Sequence, residues 1–230
     1  MKKSLFISSL FVCFTVTAGS GTLNIYDKQP DGQIPKTFYG VFFEDINYSA
    51  DGGLYAELIQ NRSFEYDLAQ AIANLNPKFF RFPGGCIVHG RSINNAYRWE
   101  ETFGPVKYRK QKYNRWGYYQ SFGLGFFEYF QFCEDIGAEP LPCLPMGVTP
   151  EAILSTVISK RGNVQYIVPL DKMQEWVQSA LDLIEFAKGS VDTKWGGLRA
   201  SMGHPASFEI ITCLLCSEIT RVIFILKVKL

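Results

Sequence analysis

The chain holds 230 residues, enough for one large domain or two small ones. Hydrophobic residues at 47% against 20% charged give a globular composition and exclude a disordered chain. A formal net charge of +1 with no long basic run argues against a nucleic-acid partner, while 15% aromatic residues suit a large core or stacking on the apolar faces of sugars.

Lys2 and Lys3 precede an apolar run from Leu5 to Thr17, followed by Ala18-Gly19-Ser20. That is the order of a secretory signal peptide, and it predicts export with cleavage near Ala18 to Ser20. The run is too short and too rich in Ser and Thr for a membrane span. Removing residues 1–20 leaves 21–230 as the mature chain. Its cysteines are then Cys86, Cys133, Cys143, Cys213 and Cys216, an odd set without framework spacing. Cys213-Leu214-Leu215-Cys216 lies in an apolar run and reads as core packing rather than zinc or redox chemistry. No H-x-x-x-H pair, G-x-G-x-x-G or phosphate loop occurs, so neither metal nor cofactor is expected.

In chain order, Thr22 to Tyr26 could form a short edge strand, and Asp27 to Lys36 carries Pro30, Gly32 and Pro35 as turn signals. Tyr39 to Phe43 is an apolar strand that ends in two acids, Glu44 and Asp45. A polar, Gly-bearing loop follows, then Leu54, Leu58 and Ile59 at helical spacing. A buried strand ending in carboxylates is how a β/α barrel presents polar groups at its catalytic face. The same two acids also fit a solvated loop. Two glycosylation patterns, at Asn47 and Asn61, are taken as chance matches.

Asp67 to Leu75 has apolar residues at Leu68, Ala71, Ile72 and Leu75, a helical period closed by Asn76-Pro77. Lys78 to Phe82 is a strand broken by Pro83-Gly84-Gly85, where glycine permits close backbone approach. The loop after His89 is studded with aromatics, from Tyr97 and Trp99 to Trp116, Tyr118, Tyr119 and Phe122. Such a loop either buries its rings or offers them to a ligand. Gly125 to Ile136 is an aromatic helix with Gly137 as its stop. Glu139 to Met146 sits where the next strand belongs, although Pro140, Pro142 and Pro145 speak against a strand. Pro150 to Ser159 reads as a helix capped by Thr149. Arg161 to Gln165 reads as a loop. Asp171 to Ala187 is a strong helix, with Met173, Trp176, Val177, Leu181, Ile184 and Phe186 in register. Gly189 to Pro205 is polar and Gly-rich. Ile210 to Cys216 is a buried strand with Glu218 just past its end, and Ile219 to Leu230 has strand character.

Strand and helix therefore alternate about four times, which argues for a parallel α/β sheet. A complete β/α barrel needs eight such units and about 250 residues. Glu44 and Glu218 fall at predicted strand ends, and glycoside hydrolysis needs a carboxyl pair flanking the scissile bond. Glu218 also fits an ordinary loop glutamate. His89 and His204 lack a Ser/Asp pattern and read as structural or supporting residues.

The segments YGVFFEDINYSADGGLYAELIQNRSFE, FFRFPGGCIVHG, YRWEETFGP, NRWGYYQSFGLGFFEYFQFCEDIGAEPLP and LDLIEFAKGSVDTKWGGLRASMGHP closely resemble α-L-arabinofuranosidases of glycoside hydrolase family 51. They cover most of Thr37 to Pro205. The resemblance implies a retaining (β/α)8 TIM barrel, here about its first four β/α units, followed in the family by a β-sandwich. It implies release of terminal α-L-arabinofuranose from arabinan and arabinoxylan-type plant polysaccharides. It carries over sugar binding to Glu44, Cys86 and Trp116, and the acid/base role to Glu218. Ser217 stands where the family has a sugar-contacting Asn, and Ile210 to Leu230 otherwise departs from the family pattern. The family's nucleophilic glutamate belongs to a later strand than any in this sequence.

Two readings follow. The chain is an arabinofuranosidase by descent, or it is an inactive fragment of one that binds carbohydrate weakly. A different barrel glycosidase, such as an endoglucanase, is disfavoured by the intact FFEDINYSADGGLYAELIQNRSFE stretch. Unpaired strand edges in a partial barrel leave self-association open.

Overall fold

The computed structural model describes residues 38–46, 48–50, 63–150, 160–161, 164–210, 212–216 and 224–227, with the backbone alone at 63–67, 160, 165, 212–216 and 224–227. The expected signal segment, the strand at Thr22 to Tyr26, the helix around Leu54 to Ile59, both sequons' asparagines and Glu218 lie outside these residues. In chain order the elements begin with β1 (Val41–Phe42), α1 (Ser63–Asn74), β2 (Phe79–Phe82) and α2 (Cys86–His89). A hairpin of β3 (Lys112–Tyr113) and β4 (Tyr119–Gln120) precedes α3 (Phe126–Ile136) and β5 (Glu139–Pro145). Then come β6 (Lys160–Arg161), β7 (Val164–Gln165), α4 (Met173–Lys188), α5 (Lys194–Ser201), β8 (Thr212–Cys216) and β9 (Phe224–Lys227). The main sheet has the order β1-β2-β5-β8-β9. Its first four strands are parallel, and β9 is antiparallel to β8. The fold is thus α/β with parallel strands, as the alternating pattern requires.

The prolines of β5 show how a strand survives them. The Glu139 N–H donates to Lys78 O across the β2 side at 2.9 Å. Alternation therefore points the N–H positions of residues 140 and 142 toward the opposite edge. That edge is taken by β8 only from Cys143 onward. Position 145 faces the β2 side, where pairing ends at Phe82↔Pro142. Each proline places its missing donor outside the ladder pairs that form on that side, so no pair present needs it.

Phe80 and Phe82 turn from β2 into a layer of helices and are fully buried. They meet Tyr129 of α3, whose ring stacks on Phe82 at 4.9 Å and whose hydroxyl donates to Phe80 O at 2.6 Å. Phe126, Phe130, Leu183, Phe186 and Phe208 complete this aromatic core, each fully buried ring contributing about 1.5–3 kcal/mol. Trp99 enters it from the long loop and donates its indole N–H to Ser179 O and Oγ at 2.9 and 3.0 Å.

The helix ends have identifiable partners. At the start of α3 the Gly125 N–H donates to Glu128 Oε2 at 3.0 Å, and the Phe126 N–H to Thr102 Oγ1 at 3.0 Å. Gly137 stops the helix at φ 68°, ψ 29°, the left-handed conformation expected of a stop glycine. At the far end of α4, the buried Arg199 guanidinium donates to the carbonyls of Phe186, Ala187, Gly189, His204 and Pro205. A cation there satisfies open carbonyls and complements the helix dipole.

Several expectations are corrected. Helix α1 begins at Ser63 rather than Asp67, and of its predicted stripe Leu68 is exposed while Ile72 is buried. Within Arg161 to Gln165, expected as a loop, Arg161, Val164 and Gln165 belong to strands: Lys160–Arg161 pairs antiparallel with Val164–Gln165. The polar stretch Gly189 to Pro205 contains α5, capped by Thr193 Oγ1 accepting from the Gly196 N–H at 3.1 Å. Helix α4 starts at Met173 after a 3₁₀ turn at Leu170–Lys172. Its buried face is Ser179, Ala180, Leu183, Phe186 and Ala187, which leaves Val177 and Leu181 exposed. Pro150 has helical backbone, but the Thr149 hydroxyl expected to cap the helix is buried without a hydrogen-bond partner among the described residues, and 151–159 lie outside them.

Candidate functional site

Beyond β1 the backbone keeps pairing with β2's continuation: Phe43 N–H donates to Arg81 O at 2.8 Å and Asp45 N–H to Pro83 O at 3.0 Å. Phe43 packs on the helix-facing rings of Phe80 and Phe82. Alternation then turns Glu44 to the opposite face of the sheet, at the carboxyl end of the strand. Glu44 is half-buried there. Its side chain lies across Gly84: a Cβ on that glycine would stand 2.5 Å from Glu44 Cγ and 3.0 Å from Cδ. Gly84 also holds φ +133°, which side chains rarely adopt. Gly84 thus lets one glutamate lie down on the backbone. Cys86, half-buried at the start of α2, follows two residues later.

Asp45 has a different task. It is buried, and its Oδ1 accepts from the Ala50 N–H at 3.1 Å while Oδ2 accepts from Gln120 Nε2 at 2.6 Å. The Tyr118 hydroxyl donates to Asp45 O at 3.1 Å and accepts from the Tyr48 N–H at 3.3 Å, and the two tyrosine rings stack at 4.0 Å. The β3–β4 hairpin is in this way clamped to the residue next to Glu44. Its turn is shaped by Asn114 Oδ1, which accepts from the N–H groups of Trp116 and Tyr118 at 2.9 and 3.3 Å. Trp116 sits on that turn, 39% exposed, with the Arg115 guanidinium 5.7 Å from its ring. On the other side Lys112 pins the hairpin, donating to Ala96 O at 2.8 Å and pairing with Glu101. Burial pushes the Lys112 ammonium pKa down, and Glu101 opposes that shift.

Arg81 went unremarked in the sequence. Its neighbours Phe80 and Phe82 face the helices, so Arg81 shares the face of Glu44. It donates to Cys143 Sγ at 3.2 Å and lies 4.0 Å over the Phe42 ring. The arrangement offers a carboxylate acceptor, a fixed guanidinium and an aromatic rim, which suits a polyhydroxylated ligand.

Of the sequence-predicted residues, Glu44 lies on the ledge made by Gly84, Cys86 follows two residues later at the start of α2, and Trp116 sits on the hairpin tied to Asp45. Glu218 falls outside the described residues. His204 is structural, bonding Glu134 Oε2 and Ala206 O at 2.8 Å each and stacking on Phe208 at 4.0 Å. His89 is buried within α2. The aromatic loop buries some rings and exposes others: Tyr97, Trp99, Tyr118 and Phe122 are buried, whereas Tyr108, Tyr113, Trp116 and Tyr119 are exposed. Sequence reasoning missed the clamp, because Asp45 and Gln120 are separated by 75 positions and no local signal joins them.

Fold and ledge together define an α/β protein that gathers polar and aromatic groups at the carboxyl ends of parallel strands, the ligand-binding side of such sheets. Residues 71–220 match the family model described as alpha-L-arabinofuranosidase 1 domain, and the chain belongs to that family. It is 41% identical over 162 residues to an extracellular exo-alpha-L-arabinofuranosidase of Streptomyces chartreusis, covering 66% of this chain and 18% of that protein. It is 39% identical over 152 residues to alpha-L-arabinofuranosidase 1 of Arabidopsis thaliana, covering 66% and 20%. The solved alpha-L-arabinofuranosidase of Thermotoga maritima in complex with arabinose is similar in structure, with a TM-score of 0.58, 26% identity and coverage of 78% of this chain and 32% of that one. The chain therefore spans about a fifth of the length of the curated relatives it matches. Among the described residues, no helix is long and apolar enough to cross a membrane.

Proposed function

We propose that the chain forms the first four β/α units of a retaining α-L-arabinofuranosidase barrel, which releases terminal α-L-arabinofuranosyl groups from arabinan and arabinoxylan-type polysaccharides. The observation that supports this is the seat of Glu44 on Gly84, next to the Asp45 that ties down the β3–β4 hairpin. In this reading Glu44 accepts hydrogen bonds from sugar hydroxyls, Cys86 lines the pocket and Trp116 covers the sugar's apolar face. Glu218, past the end of β8, serves as acid/base. The N-terminal segment directs export, in keeping with the Streptomyces relative named extracellular.

A second reading, arabinose binding without turnover, draws on Asp45. A retaining mechanism needs two carboxyl groups about 5–5.5 Å apart. Asp45, the acid next to Glu44, is engaged by Ala50 and Gln120 and serves as a clamp, not a nucleophile. The test is hydrolysis of an aryl α-L-arabinofuranoside by the purified 230-residue chain, with Glu218→Gln as control, beside arabinose binding measured by calorimetry with Glu44→Gln as control. Turnover lost in Glu218→Gln supports the full reading. Arabinose binding lost in Glu44→Gln without turnover supports the second. Neither binding nor turnover from folded chain refutes both.

A further inference from the structure

The β3–β4 hairpin has two faces. Lys112 and Gln120 point inward and are buried. Their neighbours Tyr113 and Tyr119 form a cross-strand pair on the opposite face. Tyr113 is 39% and Tyr119 62% exposed, and their rings meet edge to face at 5.1 Å. The pair is held in place. Asn95 Nδ2 donates to Tyr113 O at 2.9 Å, and Asn95 Oδ1 accepts from the Arg91 N–H at 3.0 Å. The Arg91 guanidinium is thereby set 5.6 Å from the Tyr113 ring. A Cβ on Gly117 would lie 3.7 Å from the Tyr113 hydroxyl, so this ring leans toward the turn that carries Trp116. The exposed rings thus run continuously from Tyr119 through Tyr113 to the tip of the hairpin.

Between residues 90 and 125, every exposed large apolar side chain among the described residues is aromatic. Protein–protein interfaces surround their aromatic anchors with other packed apolar side chains. Within that stretch, a row of amphipathic rings flanked by a guanidinium suits instead the ring faces and hydroxyl edges of a sugar chain. We infer that the Tyr113–Tyr119 face is a polysaccharide-stacking platform that holds the polymer backbone outside the arabinose pocket. The inference deepens the proposed function by naming where the chain bearing the arabinosyl branch lies. The Asp45 clamp couples the two places, since it fixes the platform's hairpin against the residue next to Glu44.

The test is affinity electrophoresis of the 230-residue chain in gels containing soluble arabinoxylan. Tyr113→Ala/Tyr119→Ala is expected to lower the apparent affinity about tenfold, with an unchanged circular dichroism spectrum because both rings are exposed. Tyr113→Phe/Tyr119→Phe, which keeps the rings, is expected to retain binding. Glu44→Gln is expected to lose arabinose binding in calorimetry while its retardation by polymer persists, which separates this platform from the pocket. The inference is overturned if the wild-type chain is not retarded, or if the double alanine variant is retarded as strongly as wild type. It is also overturned if that variant loses self-association in sedimentation while keeping its polymer affinity, since the face would then be a contact between copies.

Discussion

Replacing Asp45 by alanine isolates the clamp that ties the hairpin to the strand end carrying Glu44. The carboxylate serves two buried donors, the Ala50 N–H and Gln120 Nε2. Ala50 and Gln120 are only 2% and 3% exposed, so water does not readily take over. A stranded buried donor costs about 1–3 kcal/mol, which puts the loss at about 2–6 kcal/mol. Against about 5–15 kcal/mol for a whole domain, that is a large share. The Tyr118 hydroxyl bonds the Asp45 backbone oxygen and survives the change, so the hairpin is loosened rather than released. Urea unfolding of Asp45→Ala, Gln120→Ala and the double variant forms a mutant cycle with an expected coupling above about 1 kcal/mol. Trypsin should also cut faster at Arg115 in Asp45→Ala. Effects that add within about 0.5 kcal/mol, with unchanged cleavage, would refute the clamp.

Gly84→Ala pushes a methyl into Glu44 at φ +133° and should cost about 1–3 kcal/mol in urea unfolding, with arabinose binding lost in the same preparation. Tyr129→Phe removes the bond to Phe80 O and should cost about 0.5–1.5 kcal/mol at neutral pH. Burial holds the Tyr129 phenol well above its ordinary pKa, while the unfolded phenol ionises near pH ~10. Its contribution is therefore complete below about pH 10 and falls as pH rises beyond, and Tyr129→Phe should flatten that alkaline loss in unfolding midpoints. Thr193→Ala deletes the cap of α5 and should lower stability by about 1 kcal/mol in the same assay.

Legibility in the sequence followed the range of each signal. Period and punctuation reached β2, α3, α4 and the Gly137 stop, because they act within a few residues. They also gave the strand ending at Glu44, since an apolar run that meets acids changes solvent at that point. Proline density misled at β5, where only the staggered neighbours reveal that positions 140, 142 and 145 need no donor. Helix α5 hid because Gly196 and Gly197 weaken its propensity, while its place is fixed by tertiary bonds from Arg199. In the site, the resemblance supplied the candidates Glu44, Cys86 and Trp116. The bond that ties the Trp116 hairpin to the neighbour of Glu44, an aspartate gripping a glutamine across the fold, was legible only in three dimensions.

The antiparallel strand β9 has a consequence for assembly. Its four ladder pairs, Thr212↔Lys227 to Leu215↔Phe224, occupy the flank of β8 that faces away from β5. A closing barrel would dock its next parallel strand along that same flank. One strand flank accepts one neighbour, so barrel growth and the β9 pairing are rival occupants of a single berth. A strand joining outside β9 would meet a sheet whose direction has already reversed. Any other strand that takes that flank of β8 must first unzip β9.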